Sequence, residues 1–105
     1  MADFLGLMKQ ATELKSKMEK LQSELDQVEV EGTAGGGAVV VKATGTGKLL
    51  EVKIQKEAID PDDPETLEDL VLAGVNEALR NAQDLAQSKL GGVAGDLKGL
   101  GLPGL

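Results

Sequence analysis

Between Phe4 and Val28 the apolar residues fall at Phe4, Leu7, Ala11, Leu14, Met18, Leu21, Leu25 and Val28. Steps of three and four alternate without a break, and neither Gly nor Pro intervenes after Gly6. This spacing predicts a helix carrying a narrow, coiled-coil-like seam. At 1.5 Å per residue the rod is about 38 Å long, whereas a short sheet is only about 17–20 Å deep. A sheet of that depth cannot cover the whole seam, so part of it is expected to meet a second long helix.

After Val28 the period changes from seven to two. Val28 and Val30 alternate with Glu29 and Glu31, which predicts a first strand over 28–34. Gly35-Gly36-Gly37 supplies backbone freedom for a turn. The β-branched run Ala38–Thr44 predicts a second strand, and Gly45-Thr46-Gly47 a second turn. Lys48–Lys56 predicts a third, with Leu50, Val52 and Ile54 on one face and Leu49, Glu51, Lys53 and Gln55 on the other. Such a meander buries one face. Asp63 and Pro64 form a helix start, with Glu65, Glu68 and Asp69 suited to the helix dipole. The second helix is expected from Pro64 to about Leu90. Ala78, Ala82 and Ala86, spaced by four, leave room for another backbone to approach. Gly91-Gly92 is expected to end the helix, leaving residues 91–105 as a disordered Gly/Leu-rich tail whose leucines could form a weak contact strip. The fold class is therefore α+β in the order α-β-β-β-α, one domain over 1–90.

With 105 residues there is room for one core, and its only aromatic is Phe4. One aromatic residue argues against a base-reading RNA module, which relies on exposed aromatic rings. Cys and His are absent, which removes disulfides, thiolate or imidazole catalysis and the usual zinc sites. No apolar stretch reaches the roughly 18 residues of a membrane span, and no signal-peptide pattern opens the chain. A cytoplasmic protein with no catalytic residues, no cofactor, no metal and no small-molecule substrate is expected.

Two motifs invite stronger readings. Gly45-Thr46-Gly47-Lys48 resembles the end of a phosphate-binding loop, but Lys42 stands where that loop needs Gly and Leu49 where it needs Ser or Thr. It reads as a hairpin turn. The acids of 57–69 lack the alternation and central Gly of a calcium loop, and read as a solvated helix entrance.

The net charge is −7, unevenly distributed. Residues 57–69 carry seven acids and no base, whereas Lys9, Lys15, Lys17 and Lys20 face only Asp3, Glu13 and Glu19 in the first twenty residues. Those lysines flank the seam, where they keep the helix soluble or meet an anionic partner.

The segment Val28-Glu29-Val30-Glu31-Gly32-Thr33-Ala34-Gly35-Gly36-Gly37, running straight into a valine strand, resembles the YbaB/EbfC family of bacterial nucleoid-associated proteins. So do Phe4–Met8 with Lys15, Met18 and Leu21, and the helix start Leu67-Glu68-Asp69-Leu70-Val71 with Asn76 and Ala78 beyond it. The resemblance covers residues 3–90, and it implies an intertwined, tweezer-like homodimer. Projecting helices would grip double-stranded DNA, alter its conformation and influence nucleoid organisation, gene expression or DNA protection. The DNA-binding candidates are then Lys9, Lys15, Lys17 and Lys20, with Arg80 and Lys89 as secondary ones. The rival is a dimeric adapter or chaperone-like clamp that binds a protein and not DNA, a role the acidic composition favours.

Overall fold

The structure, a computed structural model, describes residues 3–99, and side chains as far as residue 92. Helix α1 spans Phe4–Gln27, strand β1 Glu29–Ala34, β2 Val39–Thr44 and β3 Leu49–Ile54, and helix α2 spans Pro64–Gly99. The strands form one antiparallel sheet in the order β1-β2-β3. Among the described residues this is the α-β-β-β-α order that the periodicities predict.

The core forms where α2 crosses the sheet. Val39, Val41 and Ala43 point from β2 into α2 and are fully buried, as is Ala78 on the helix. Val30, Ile54, Leu67, Leu70, Val71 and Val75 close around them. Each fully buried valine contributes about 1.5–3 kcal/mol through removal of apolar surface from water. The layers touch backbone to backbone. A Cβ built on Gly32 of β1 would overlap the amide nitrogen of Ala78 and come within 2.5 Å of the Gly74 carbonyl oxygen. The predicted close approach at the alanine stripe is thus met by a glycine on the sheet. Asn81 locks the crossing, its Nδ2 donating to the Glu31 carbonyl oxygen at 2.6 Å.

The turns follow their residues. Gly35, Gly36 and Gly37 all have positive φ, of 62°, 67° and 97°, which only glycine adopts freely in succession. Gly45-Thr46-Gly47-Lys48 is the β2–β3 turn and not a phosphate loop, because a strand follows it. Asp63 caps α2: its Oδ1 accepts the Thr66 amide at 3.3 Å and its Oδ2 accepts the Thr66 hydroxyl at 2.6 Å. These two bonds hold the Asp63 carboxyl below its ordinary value. The cap's contribution is therefore present above the usual carboxylate range and lost as pH falls through it.

Three expectations need correction. Helix α2 does not stop at Leu90 but runs through Gly91 and Gly92 to Gly99. The two glycines lie in open space on the helix, and the apolar spacing continues across them at Leu90, Val93 and Leu97, so the stop signal was local and the helical pattern prevailed. The helical domain therefore passes residue 90, the tail expected over 91–105 is helical to Gly99, and residues 100–105 lie outside the described residues. Each strand is also shorter than its β-branched run by one or more residues. Finally, a bulge between Lys42 and Ala43 sets Leu49 opposite Ala43, on the face that strict alternation assigns to its apolar neighbours.

Replacing Gly32 with Ala forces a methyl group against the α2 backbone, so the variant should lose about 2–3 kcal/mol. Urea unfolding should show a lower midpoint with an unchanged slope; a midpoint equal to that of the parent chain would contradict the close approach.

Candidate nucleic-acid interface

The far end of the molecule is built from α1 and the second half of α2. The C-terminal end of α1 is fastened to the β2–β3 turn. The Gly45 amide reaches the carbonyl oxygens of Leu25 at 2.9 Å and Val28 at 3.0 Å. A relay of hydroxyls completes the joint. The Lys48 amide donates to Thr44 Oγ1 at 3.1 Å, Thr44 pairs with Thr46 Oγ1 at 2.7 Å, and Thr46 Oγ1 donates to Asp26 Oδ1 at 2.7 Å. Thr44 is buried, so this chain satisfies a hydroxyl that would otherwise be costly to hide. Leu25 is the buried residue of α1, and with Gln22 it lines a groove of about 320 Å3 shared with Leu79, Ala82, Gln83 and Ala86 of α2.

The two helices therefore run antiparallel away from the sheet. The molecule measures 73 × 23 × 16 Å. A width of 23 Å has no room for α1, about 36 Å long, except alongside α2. Leu14 and Leu21 are half-buried, while Phe4, Leu5, Leu7, Met8 and Met18 are exposed. The seam thus meets the second long helix as expected, and its contact loosens toward the tip.

Lys9, Lys15, Lys17 and Lys20 all stand exposed on this arm. At about 100° per residue, Lys9 and Lys20 fall on the side of α1 away from the seam, with Lys15 and Lys17 on its two flanks. The lysines encircle the outer surface of the rod. Lys15 lies 4.0 Å from Glu19, one helical turn on, with both side chains mostly in water. Arg80 and Lys89 are not brought together. Arg80 is exposed, whereas Lys89 is half-buried on the α2 stripe that carries Ala78 and Ala82.

Sequence spacing within one element did not reveal two further groupings. On the outer sheet face Glu51 lies 3.9 Å from both Lys42 and Lys53, an arrangement set by cross-strand register. The other grouping is apolar. Helix α2 lies over β1 and β2, and β3 is left uncovered. Leu49, Leu50 and Val52 are exposed there, as are Leu72 and Ile59. Beside them Ile54, Leu67, Val71, Leu72 and Val75, with Glu68 at the rim, line a groove of about 480 Å3. Among the described residues no helix is long and apolar enough to cross a membrane, and no group of three or more acids is placed to hold a metal ion.

The family model for the YbaB/EbfC DNA-binding family matches residues 1–97. The chain belongs to that family. It is 48% identical over 105 residues to a nucleoid-associated protein of Afipia carboxidovorans, an alignment covering 100% of this chain and 97% of the relative. It is 46% identical over 99 residues to a nucleoid-associated protein of Pelotomaculum thermopropionicum, covering 94% of this chain and 91% of the relative. A solved structure of an uncharacterised protein from Helicobacter pylori shares the fold, with a TM-score of 0.68 at 20% identity, covering 92% of this chain and 98% of that one.

The Lys15–Glu19 pair is solvated, and exposed i,i+4 pairs contribute little. Replacing Glu19 with Gln should leave thermal unfolding within about 0.5 kcal/mol of the parent chain. A larger loss would mean that the pair organises the arm.

Proposed function

We propose that the chain is a nucleoid-associated protein of the cytoplasm that binds double-stranded DNA as a homodimer through its projecting α1/α2 arms. The observation that carries this reading is the placement of Lys9, Lys15, Lys17 and Lys20. They surround a rod that stands clear of the core, while the seven acids of 57–69 lie at the start of α2, toward the other end of the molecule. Family membership points the same way. Lysines on such a rod neutralise phosphates and release counterions. Contacts of that kind orient a protein on the duplex without reading bases. Two arms closing on one duplex would alter its path, which is how such a protein would act on nucleoid organisation, gene expression or DNA protection.

The uncovered half of the sheet supports the dimer. An edge strand with exposed apolar residues such as β3 invites pairing unless something covers it. The groove beside it is apolar enough to receive the same strip from a second copy around a two-fold axis, where one patch serves both partners. Pairing there would set two lysine-bearing arms in one assembly. Arg80 is then an accessory cation on α2, and Lys89, half-buried between the helices, is the weakest of the six candidates.

Replacing Lys9, Lys15, Lys17 and Lys20 together with Ala should weaken retention of duplex DNA in a gel-shift titration by about tenfold or more at low salt, and should flatten the dependence of affinity on salt. The dimer should persist in light scattering. Unchanged retention would overturn the assignment, and a complete lack of retardation by the parent chain alongside a co-purifying protein would favour an adapter. Independently, Val52→Asp with Leu72→Asp puts charge into the proposed interface. Self-association measured by sedimentation should weaken by about a hundredfold, while circular dichroism of the protomer is retained. A dimer of undiminished strength would place the interface elsewhere.

A further inference from the structure

The two edges of the sheet are not alike. In the order β1-β2-β3, β1 and β3 each have one side without a neighbouring strand. The register says which backbone groups point there. The Gln55 amide donates to the carbonyl oxygen of Ala38, just before β2, at 2.8 Å, and Val39 stands opposite Ile54. Successive residues of a strand turn their N–H and C=O groups to opposite sides. Ala38, Val40 and Lys42 therefore face β3, and Val39, Val41 and Ala43 face β1. The partners of those three on β1 are Ala34, Gly32 and Val30, which are thereby bonded to β2. Glu29, Glu31 and Thr33 turn their backbone groups outward, along the free edge of β1.

A row of outward N–H and C=O groups is a template for another strand. On β3 the outward residues include the apolar Val52 and Ile54, the latter lining the groove beside Leu72. On β1 the central outward carbonyl, that of Glu31, already accepts Asn81 Nδ2 at 2.6 Å. An incoming strand would lie about 4.8 Å from β1 and place its own amide on that oxygen, where the Asn81 side chain stands. So short a side chain reaches the edge because Gly32 lets the backbone of α2 settle on the sheet at Ala78, one turn before Asn81. Glu29 and Glu31 are both exposed on the same strand, and like charges on an edge oppose pairing with an identical strand.

We propose that Asn81 is an edge guard, which closes β1 to strand addition by a further copy of this chain. Copies that joined β3 of one to β1 of the next would make a head-to-tail contact, and such contacts extend into filaments when they do not close. With β1 shut, growth stops at the pair. The inference rests on the proposed dimer only for the size at which growth stops.

The test uses the full chain carrying Asn81→Ala. Alanine is the best helix former, so α2 is retained, as circular dichroism should confirm. In sedimentation velocity the weight-average mass should rise to about twice that of the parent or more as the concentration is raised. Adding Thr33→Pro removes an outward N–H from β1 without touching a bond to β2, and should return the mass to that of the parent. An Asn81→Ala chain of unchanged mass, or a rise that survives Thr33→Pro, would overturn the guard. The mass of the parent reports the proposed dimer, and the difference between parent and variant reports the guard, so the two readings fail separately.

Discussion

The architecture depends on one close contact, the crossing of α2 over β1 at Gly32. A helix normally stands about 10 Å from a sheet because side chains keep the layers apart. Here Gly32 presents no side chain, and Gly74 and Ala78 present nearly none, so backbone meets backbone. That contact draws α2 toward β1 and β2 and away from β3. Two consequences follow. The fully buried core is small, with Val39 and Val41 its largest completely hidden side chains. One edge of the sheet also keeps its apolar residues in water. The geometry that makes the fold possible thus leaves the apolar surface on which the proposed dimer rests.

Because α2 is seated by its first half, its second half is free to leave the sheet. It lies against α1, whose own end is fastened to the β2–β3 turn through the Gly45 contacts and the Thr44–Thr46–Asp26 relay, and becomes one side of a two-helix arm. The joint is polar and local, whereas the contact along the arm is apolar and thins toward the tip. The arm is therefore tied most firmly at its root, and its apolar contact is least complete at its tip.

Much of this was legible in the residues. The 3-4 spacing from Phe4 to Val28 set α1 within one residue, and the change to a period of two located the strands. The alanine stripe announced a close approach, although the spacing could not say that Gly32 would be its partner, because the two lie far apart in the chain. Helix α2 passes the boundary that its glycine pair suggests. Gly91-Gly92 carries a strong local stop signal, but the apolar period runs through it, and a glycine pair costs a helix only about 2 kcal/mol. The displacement of Leu49 was hidden for a different reason, since a bulge is a property of two strands and not of one. The six basic candidates were legible as charges but not as a surface. Four encircle the arm, while Arg80 and Lys89 lie on different sides of α2 because nine residues carry the helix through half a turn beyond two full ones.

The negative total charge bears on DNA less than it suggests. The seven acids of 57–69 equal the whole excess in number, and they lie just before and within the first turns of α2. From Glu65 to Ala86, which lines the same groove as Gln22 of α1, α2 advances about 32 Å at 1.5 Å per residue. At physiological ionic strength the Debye length is about 8 Å, so a phosphate at the arm is screened from those acids by roughly four such lengths. The same phosphate lies within one length of the lysines it touches. Helix α1 itself carries four lysines against Glu13, Glu19, Glu24 and Asp26, so on the proposed reading attraction depends on where the lysines stand around the rod and not on a net positive charge. Lowering the ionic strength to about 0.01 M stretches the Debye length to about 30 Å. The acids then reach the arm, so reduced salt strengthens the contact with lysine and the distant repulsion together.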